Sequence, residues 1–327
     1  MDIHDIADRD RDDSFPIGMH DIRLRRELIA AGWSDRDITR AVRSGLIHRV
    51  RYGAYVDAQL WTMLDTDRDR HRARSRAVLR TAHSSSVLTH QSALAEHIDA
   101  LWRLCLDDVA LTRTDGVAGR HEAGIIHHSG SLHLPDITMR HGVPVSAPAR
   151  TAIEVLSTND TELGFCLLNA LLHAGRTTLD EVRGVAARAD HWPNTLGVRI
   201  AIGLATSKLS SIAESRTFYM LFREDVPLPV PQVDVHDALG KLLGRVDFLW
   251  PKHGVFLEFD GRIKYELFRR PGESLADYLL REKRREERIC QETGWICIRI
   301  GWSDLESPRA TANRIRAILA KRAPTAA

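Results

Sequence analysis

The sequence predicts a multi-domain α/β protein: an N-terminal winged helix-turn-helix, a mixed α/β middle domain and a C-terminal α/β domain. Three observations predict it. The chain has 327 residues, too many for one ordinary core. Residues 15–57 run helix, turn, basic helix, basic hairpin. Residues 206–327 run helix, three-strand meander, helix, strand, helix, with acids on neighbouring strands.

Composition narrows the class. Hydrophobic residues make up 43% and charged residues 28%, the profile of a globular chain. No apolar run approaches the roughly 20 residues that span a bilayer, so no membrane partner is expected. Residues 1–14 are rich in Asp and lack the charged-then-apolar layout of a signal peptide. They are expected to be a disordered leader on a cytoplasmic protein. Cys105, Cys166, Cys290 and Cys297 are scattered and read as small hydrophobes, not as ligands or disulfides. The net charge of +2 leaves nucleic-acid binding to be argued from local charge.

In residues 20–31, Ile22, Leu24, Leu28 and Ile29 mark one helical face. Gly32 stops that helix and Ser34 caps the next, which runs to about residue 44. The second helix carries Ile38, Ala41 and Val42 inward and Arg36, Arg40 and Arg43 outward. Gly45 ends it, and residues 46–56 alternate and turn at Gly53, as a two-stranded wing would. Arg40, Arg43, Arg49 and Arg51 crowd this stretch. The planar guanidinium donates in pairs to phosphates and guanine edges, so double-stranded DNA is the expected partner. The alternative is a solvated basic face on a structural domain.

The middle domain, residues 58–205, reads as an Arg-rich helix at 71–82, a helix at 86–98, and short strands near 108–112 and 124–128. Helices follow at 146–157, 163–174 and 179–189. Nothing there has the spacing of a catalytic motif. His83, His90 and His97 share a helical face only if a helix begins before Ser84, and three serines there mark a helix start instead. These histidines are not read as a zinc site.

The chemistry concentrates in residues 231–261. Strands are predicted at 232–236, 243–250 and 255–260, joined by short turns and therefore antiparallel. With 251–254 as the loop, Trp250 faces Val255, Leu249 faces Phe256, Phe248 faces Leu257 and Asp247 faces Glu258. Asp260 shares the face of Glu258. Directly opposed residues have Cβ atoms roughly 4.5–5.5 Å apart, so the two carboxylates repel unless a cation separates them. Mg²⁺ or Mn²⁺ fits, being a hard ion that takes oxygen ligands. Lys264, beyond Asp260, is placed to orient a water or stabilise charge on a phosphate. Alternatively, Asp247 and Glu258 stand on a solvated face bridged by Arg245 or Lys252, and a one-residue slip would undo the facing.

Two readings of Glu214 stand side by side: a third carboxylate directed at the site, or the last residue of a Ser211-x-x-Glu capping box. Residues 274–292 form a long helix whose Arg281, Lys283, Arg284 and Arg285 either face solvent or meet DNA phosphates. Gly294 stops it, residues 295–300 form a strand, and Ser307-Pro308 opens a last helix to about residue 320.

Glu214, the run Gly244-Arg245-Val246-Asp247-Phe248, the run Leu257-Glu258-Phe259-Asp260-Gly261, and Gly294-Trp295 before a strand occur in that order. Over about 207–320 the chain thereby resembles the domain related to very-short-patch-repair endonucleases, within the PD-(D/E)XK nuclease superfamily. The resemblance implies a restriction-endonuclease-like αβββαβα core and a metal site at Asp247 and Glu258, with Glu214 as the helical acid. It implies a Mg²⁺- or Mn²⁺-dependent endodeoxyribonuclease; together with the hairpin reading, the expected catalytic set is Asp247, Glu258, Asp260 and Lys264. The superfamily's acid-x-Lys would put Lys at position 260, where this chain has Asp; Lys264 stands as a migrated replacement.

Residues 15–157 are similar to AbiEi-type antitoxins through Tyr52-Gly53-Ala54-Tyr55-Val56 and Ala149-Arg150-Thr151-Ala152. That resemblance implies promoter repression or phage defence, with a toxin and a second copy of the chain as candidate partners. Two expectations follow: a nuclease targeted by its winged helix, or an antitoxin-like repressor whose nuclease fold is inactive. The departure at Asp260 favours the second.

Overall fold

Local apolar patterning resolves into three sheets and two separate units in a computed structural model, which describes residues 15–116, 118–189, 191–260 and 273–322. The units are residues 1–203 and 204–327. The architecture is mixed α/β throughout. Among the described residues no helix is long and apolar enough to cross a membrane.

The first unit opens with β1 (Arg23–Leu24), α1 (Arg25–Ala30), α2 (Asp35–Arg43), β2 (Ile47–Arg51) and β3 (Ala54–Asp57). The strands form an antiparallel sheet in the order β1-β3-β2. Ser34 caps α2 as expected: its hydroxyl accepts the Asp37 amide, and the Asp37 carboxylate accepts the Ser34 amide. Gly53, at φ 74°, makes the turn between β2 and β3. The helix expected over residues 20–31 is shorter. Ile22 and Leu24 are buried in the core, Leu24 pairs with Ala54, and the Glu27 carboxylate caps the Leu24 amide, so the helix starts at Arg25.

The chain continues through α3 (Ala58–Thr62), α4 (Asp67–Leu79), β4 (Ser86–Leu88), α5 (His90–His97), β5 (Val109–Arg113), β6 (Arg120–Glu122), β7 (Ile125–His128), β8 (Ile137–Arg140) and β9 (Val143–Ser146). Helices α6 (Pro148–Thr158), α7 (Thr161–His173), α8 (Leu179–Ala186) and α9 (Thr195–Leu204) follow. A six-stranded sheet runs β6-β7-β5-β4-β9-β8. Residues 86–98 are therefore not one helix. Val87 and Leu88 are fully buried and pair with Thr112 and Leu111 of β5, so burial in a sheet overrides the start signal of the serines. The Arg-rich helix α4 also turns arginines inward, where Arg72 and Arg76 both bind Glu96 of α5, and all three are buried. Those two guanidiniums and a hydrogen bond from His141 hold Glu96 ionised against its own desolvation.

The second unit comprises α10 (Ile212–Arg223), β10 (Val230–His236), β11 (Leu242–Trp250), β12 (Val255–Asp260), α11 (Leu275–Thr293), β13 (Ile296–Gly301), α12 (Trp302–Leu305) and α13 (Pro308–Lys321). Its sheet runs β10-β11-β12-β13. The first three strands are an antiparallel meander, and β13 lies parallel to β12 after the crossover that contains α11. Trp250 pairs with Val255, Leu249 with Phe256 and Phe248 with Leu257, the register expected from the hairpin. Gly254 sits at φ +57°, and a Cβ there would stand 3.0 Å from Trp295 Cδ1, so both backbone and space call for glycine. Leu249, Phe256 and Ile289 share one core cluster, and Phe218 of α10 stacks on Phe248.

Candidate functional site

The β11–β12 ladder ends at Phe248 and Leu257. One residue further, a side chain takes over: Asp247 Oδ2 accepts the Phe259 backbone amide at 2.9 Å. Asp247 Oδ1 accepts from Gln232 Nε2 at 3.3 Å, and the same nitrogen donates to Glu214 Oε2 at 2.9 Å. Gln232, in left-handed backbone at φ 52° on β10, thus joins an acid of α10 to an acid of β11.

Glu214 forms one half of the expected capping box, and its carboxylate points elsewhere than the Ser211 amide. Its amide donates to Ser211 Oγ, as in a cap. Its carboxylate takes the Ser210 amide and the hydroxyls of Ser210 and Ser211, then reaches Gln232. Glu214 is 1% exposed, and Asp247 and Glu258 are 8% each, so each charge depends on the donors around it.

Glu258 is held by Arg285 of α11, whose Nη2 lies 3.0 and 2.9 Å from the two carboxylate oxygens. Arg285 also donates to the Arg245 carbonyl and to Glu282. Burial alone would lower its pKa, but Glu258 and Glu282 raise it above the usual value, and the guanidinium stays charged. Asp260 pairs with Arg299 of β13, which Glu286 of α11 also binds. The expected Asp247–Glu258 pair is not part of the ladder, and each acid has its own protein donors, Arg285 on Glu258 and Gln232 with the Phe259 amide on Asp247.

Lys264 lies outside the described residues. Arg285, expected at DNA, is the partner of Glu258, whereas Arg284 beside it is exposed. In the first unit Arg36, Arg40, Arg43 and Arg49 are exposed and Arg51 is half-buried. Arg40 pairs with Asp37 at 3.3 Å. Tyr52 is 89% exposed at the hairpin turn beside Gly53.

No protein-family model and no curated protein matches this chain. What the site can do therefore rests on its own chemistry.

Glu214, Asp247 and Glu258 offer only carboxylate oxygens, a donor set that fits a hard divalent cation such as Mg²⁺ or Mn²⁺. As the side chains lie, no group of three or more His, Cys, Asp or Glu among the described residues is gathered to hold a metal. Convergence on one ion needs Glu258 to give up Arg285, one nitrogen of which holds both of its oxygens. Gln232 was missed in the sequence reading; its one signal is a polar residue within the apolar run 230–233. For the pairings of Arg285 and Arg299 there was no local signal, because each crosses between elements far apart in the chain.

Proposed function

We propose that this chain is a cytoplasmic DNA-binding protein whose C-terminal unit is a divalent-metal-dependent endodeoxyribonuclease with a restriction-endonuclease-like core. One observation carries the reading: buried Glu214 and Asp247, from a helix and a strand, meet on the single amide of Gln232. Buried acids on a shared donor are costly to assemble, and a cation site is a reason to assemble them. The order β10-β11-β12-β13, with the last strand parallel to the third, supports the fold reading.

In this reading Glu214, Asp247 and Glu258 hold the ion. A divalent ion there supplies charge to polarise a scissile phosphate and lowers the pKa of an attacking water. The protein's own share is positioning. Gln232 orients two of the acids, the Phe259 amide fixes the rotamer of Asp247, and Arg285 is a cation beside Glu258 able to turn from carboxylate to phosphate oxygens. The sheet and helices of the first unit, with Arg36, Arg40, Arg43, Arg49 and Arg51, act as a winged helix that brings double-stranded DNA to the chain.

Plasmid cleavage with Mg²⁺ or Mn²⁺ tests this. Asp247→Ala and Glu258→Ala are each expected to lower cleavage on the order of 100-fold or more. Equal cleavage by wild type and both variants sinks the enzyme.

A second reading is favoured by the arginine pairings of Glu258 and Asp260. Here the nuclease fold is inactive, and the chain is an AbiEi-like repressor, with a second copy of itself or a toxin as partner, in phage defence. Tight duplex binding with no metal-dependent cleavage selects it.

A further inference from the structure

A cavity of about 530 Å³ opens in the first unit, lined from β2, α3, α4 and residues 104–107. Its volume falls among small-molecule sites, roughly 300–1,000 Å³. The lining is mixed: aromatic and cationic side chains, with the carboxylates of Asp67 and Asp107 beside them. His48 and Trp61 form an aromatic part, stacked with ring centroids 4.0 Å apart and planes at 9°. Burial lowers the His48 pKa, so at neutral pH the pair is a flat, uncharged surface.

Arg70 and Arg74, one helical turn apart on α4, form a cationic part. Arg74 Nη2 donates to the Leu106 carbonyl at 2.9 Å, while its buried Nε has no hydrogen-bond partner among the described residues. Among the described residues Arg70 is tethered only by a 3.5 Å contact to the exposed Asp67, a pairing of little worth in water. Arg70 is therefore open to a stronger acceptor, and Arg74 lines the cavity beside it. An apolar ligand would leave Arg70 without that acceptor, and a bare anion would leave the stacked rings unused.

We propose that this cavity binds a small planar anion, its aromatic ring stacked on the His48–Trp61 pair and its anionic oxygens held by Arg70 and Arg74. The shared chemistry is a flat ring carrying a phosphate or a carboxylate, met in nucleotides and in aromatic acids. The strand that gives His48 and Val50 to the cavity carries Arg49 and Arg51 in alternation with them. Occupancy therefore acts on the strand that bears the proposed DNA contacts. This coupling rests on the winged-helix reading; the binding site does not.

The cavity carries its own reporter. Cys105 lines it and is exposed, whereas Cys166 is buried and burial raises the thiol pKa of Cys290 and Cys297. Limited alkylation of the full chain with iodoacetamide, followed by peptide mass spectrometry, reads Cys105 directly. Four compounds are compared at millimolar concentration: adenosine monophosphate, indole-3-carboxylate, adenosine and inorganic phosphate. Slower Cys105 alkylation with either or both ring-bearing anions, and not with adenosine or phosphate, is the expected result. Protection by one of the two names the source of the ligand.

The exposed Arg70→Ala variant, chosen because Arg74 also anchors residue 106, should need about ten-fold more ligand for the same protection, the worth of one charge-assisted hydrogen bond. Unchanged alkylation with all four compounds overturns the site. So does equal protection by adenosine and its monophosphate, or protection indifferent to Arg70→Ala. Duplex binding is then measured with and without a protecting ligand. An unchanged affinity removes the coupling and keeps the site; protection in a chain that binds no duplex at all removes the DNA reading alone.

Discussion

Arg285 ties Glu258 through one guanidinium nitrogen, which stands 3.0 and 2.9 Å from its two carboxylate oxygens. The same guanidinium holds the Arg245 carbonyl and the Glu282 carboxylate. One side chain of α11 thus binds two strands of the sheet, at the Arg245 carbonyl and at Glu258. The two partners are 19% and 10% exposed, so the pair is mostly withdrawn from water and each charge depends on the other.

Removing one partner should be costly, and removing both should not. Arg285→Met is expected to destabilise the second unit by about 3 kcal/mol, the low end for breaking a buried pair. The double variant Arg285→Met, Glu258→Leu should recover most of that loss. Urea unfolding of the four members of the cycle checks it; additive single effects would show that the two side chains act independently.

Gln232→Leu removes the donor shared by Glu214 and Asp247. The variant should unfold at a lower temperature without metal and gain more than wild type from Mg²⁺ or Mn²⁺, since the ion then separates the acids. Thermal unfolding with and without each ion measures it. A metal response no larger than that of wild type counts against these carboxylates as ligands.

Arg43 and Arg49 are exposed on α2 and β2. If they meet phosphates, Arg43→Ala and Arg49→Ala should each weaken duplex binding and reduce the slope of log affinity against log salt by about 0.9. Fluorescence anisotropy over a salt series reads both. Parallel slopes for wild type and variants place these arginines away from DNA.

Acid should loosen the first unit. Burial lowers the pKa of His71 and of His97 from 6.5 to about 4, and that of His90 to about 3. The unfolded chain binds their protons first, so their contribution is complete above about pH 6.5 and is lost as pH falls toward the folded values. Each histidine contributes up to about 1.4 kcal/mol per pH unit in that window. Glu154, whose pKa burial raises, works in the opposite sense. Denaturant unfolding at pH 7, 6 and 5 should show falling stability, with a shallower fall in His71→Gln. A flat profile would falsify the assignment of neutral buried histidines.

What the sequence alone determined about this protein is what neighbouring residues settle between themselves. The Ser34 cap, the turn at Gly53 and the register of Phe248, Leu249 and Trp250 against Leu257, Phe256 and Val255 were all legible. A short loop and strict alternation leave a hairpin few ways to pair, and a cap closes within one turn. Only the tertiary structure decided that residues 86–88 are a strand, because the burial of Val87 and Leu88 against β5 outweighs a local helix start. It also decided who neutralises the acids. Gln232 reaches Glu214 from 18 positions away and Asp247 from 15, and Arg285 reaches Glu258 from 27. Such pairings follow from how helices pack onto the sheet and from the cost of burying an unmatched charge. No window of neighbouring residues contains either of these.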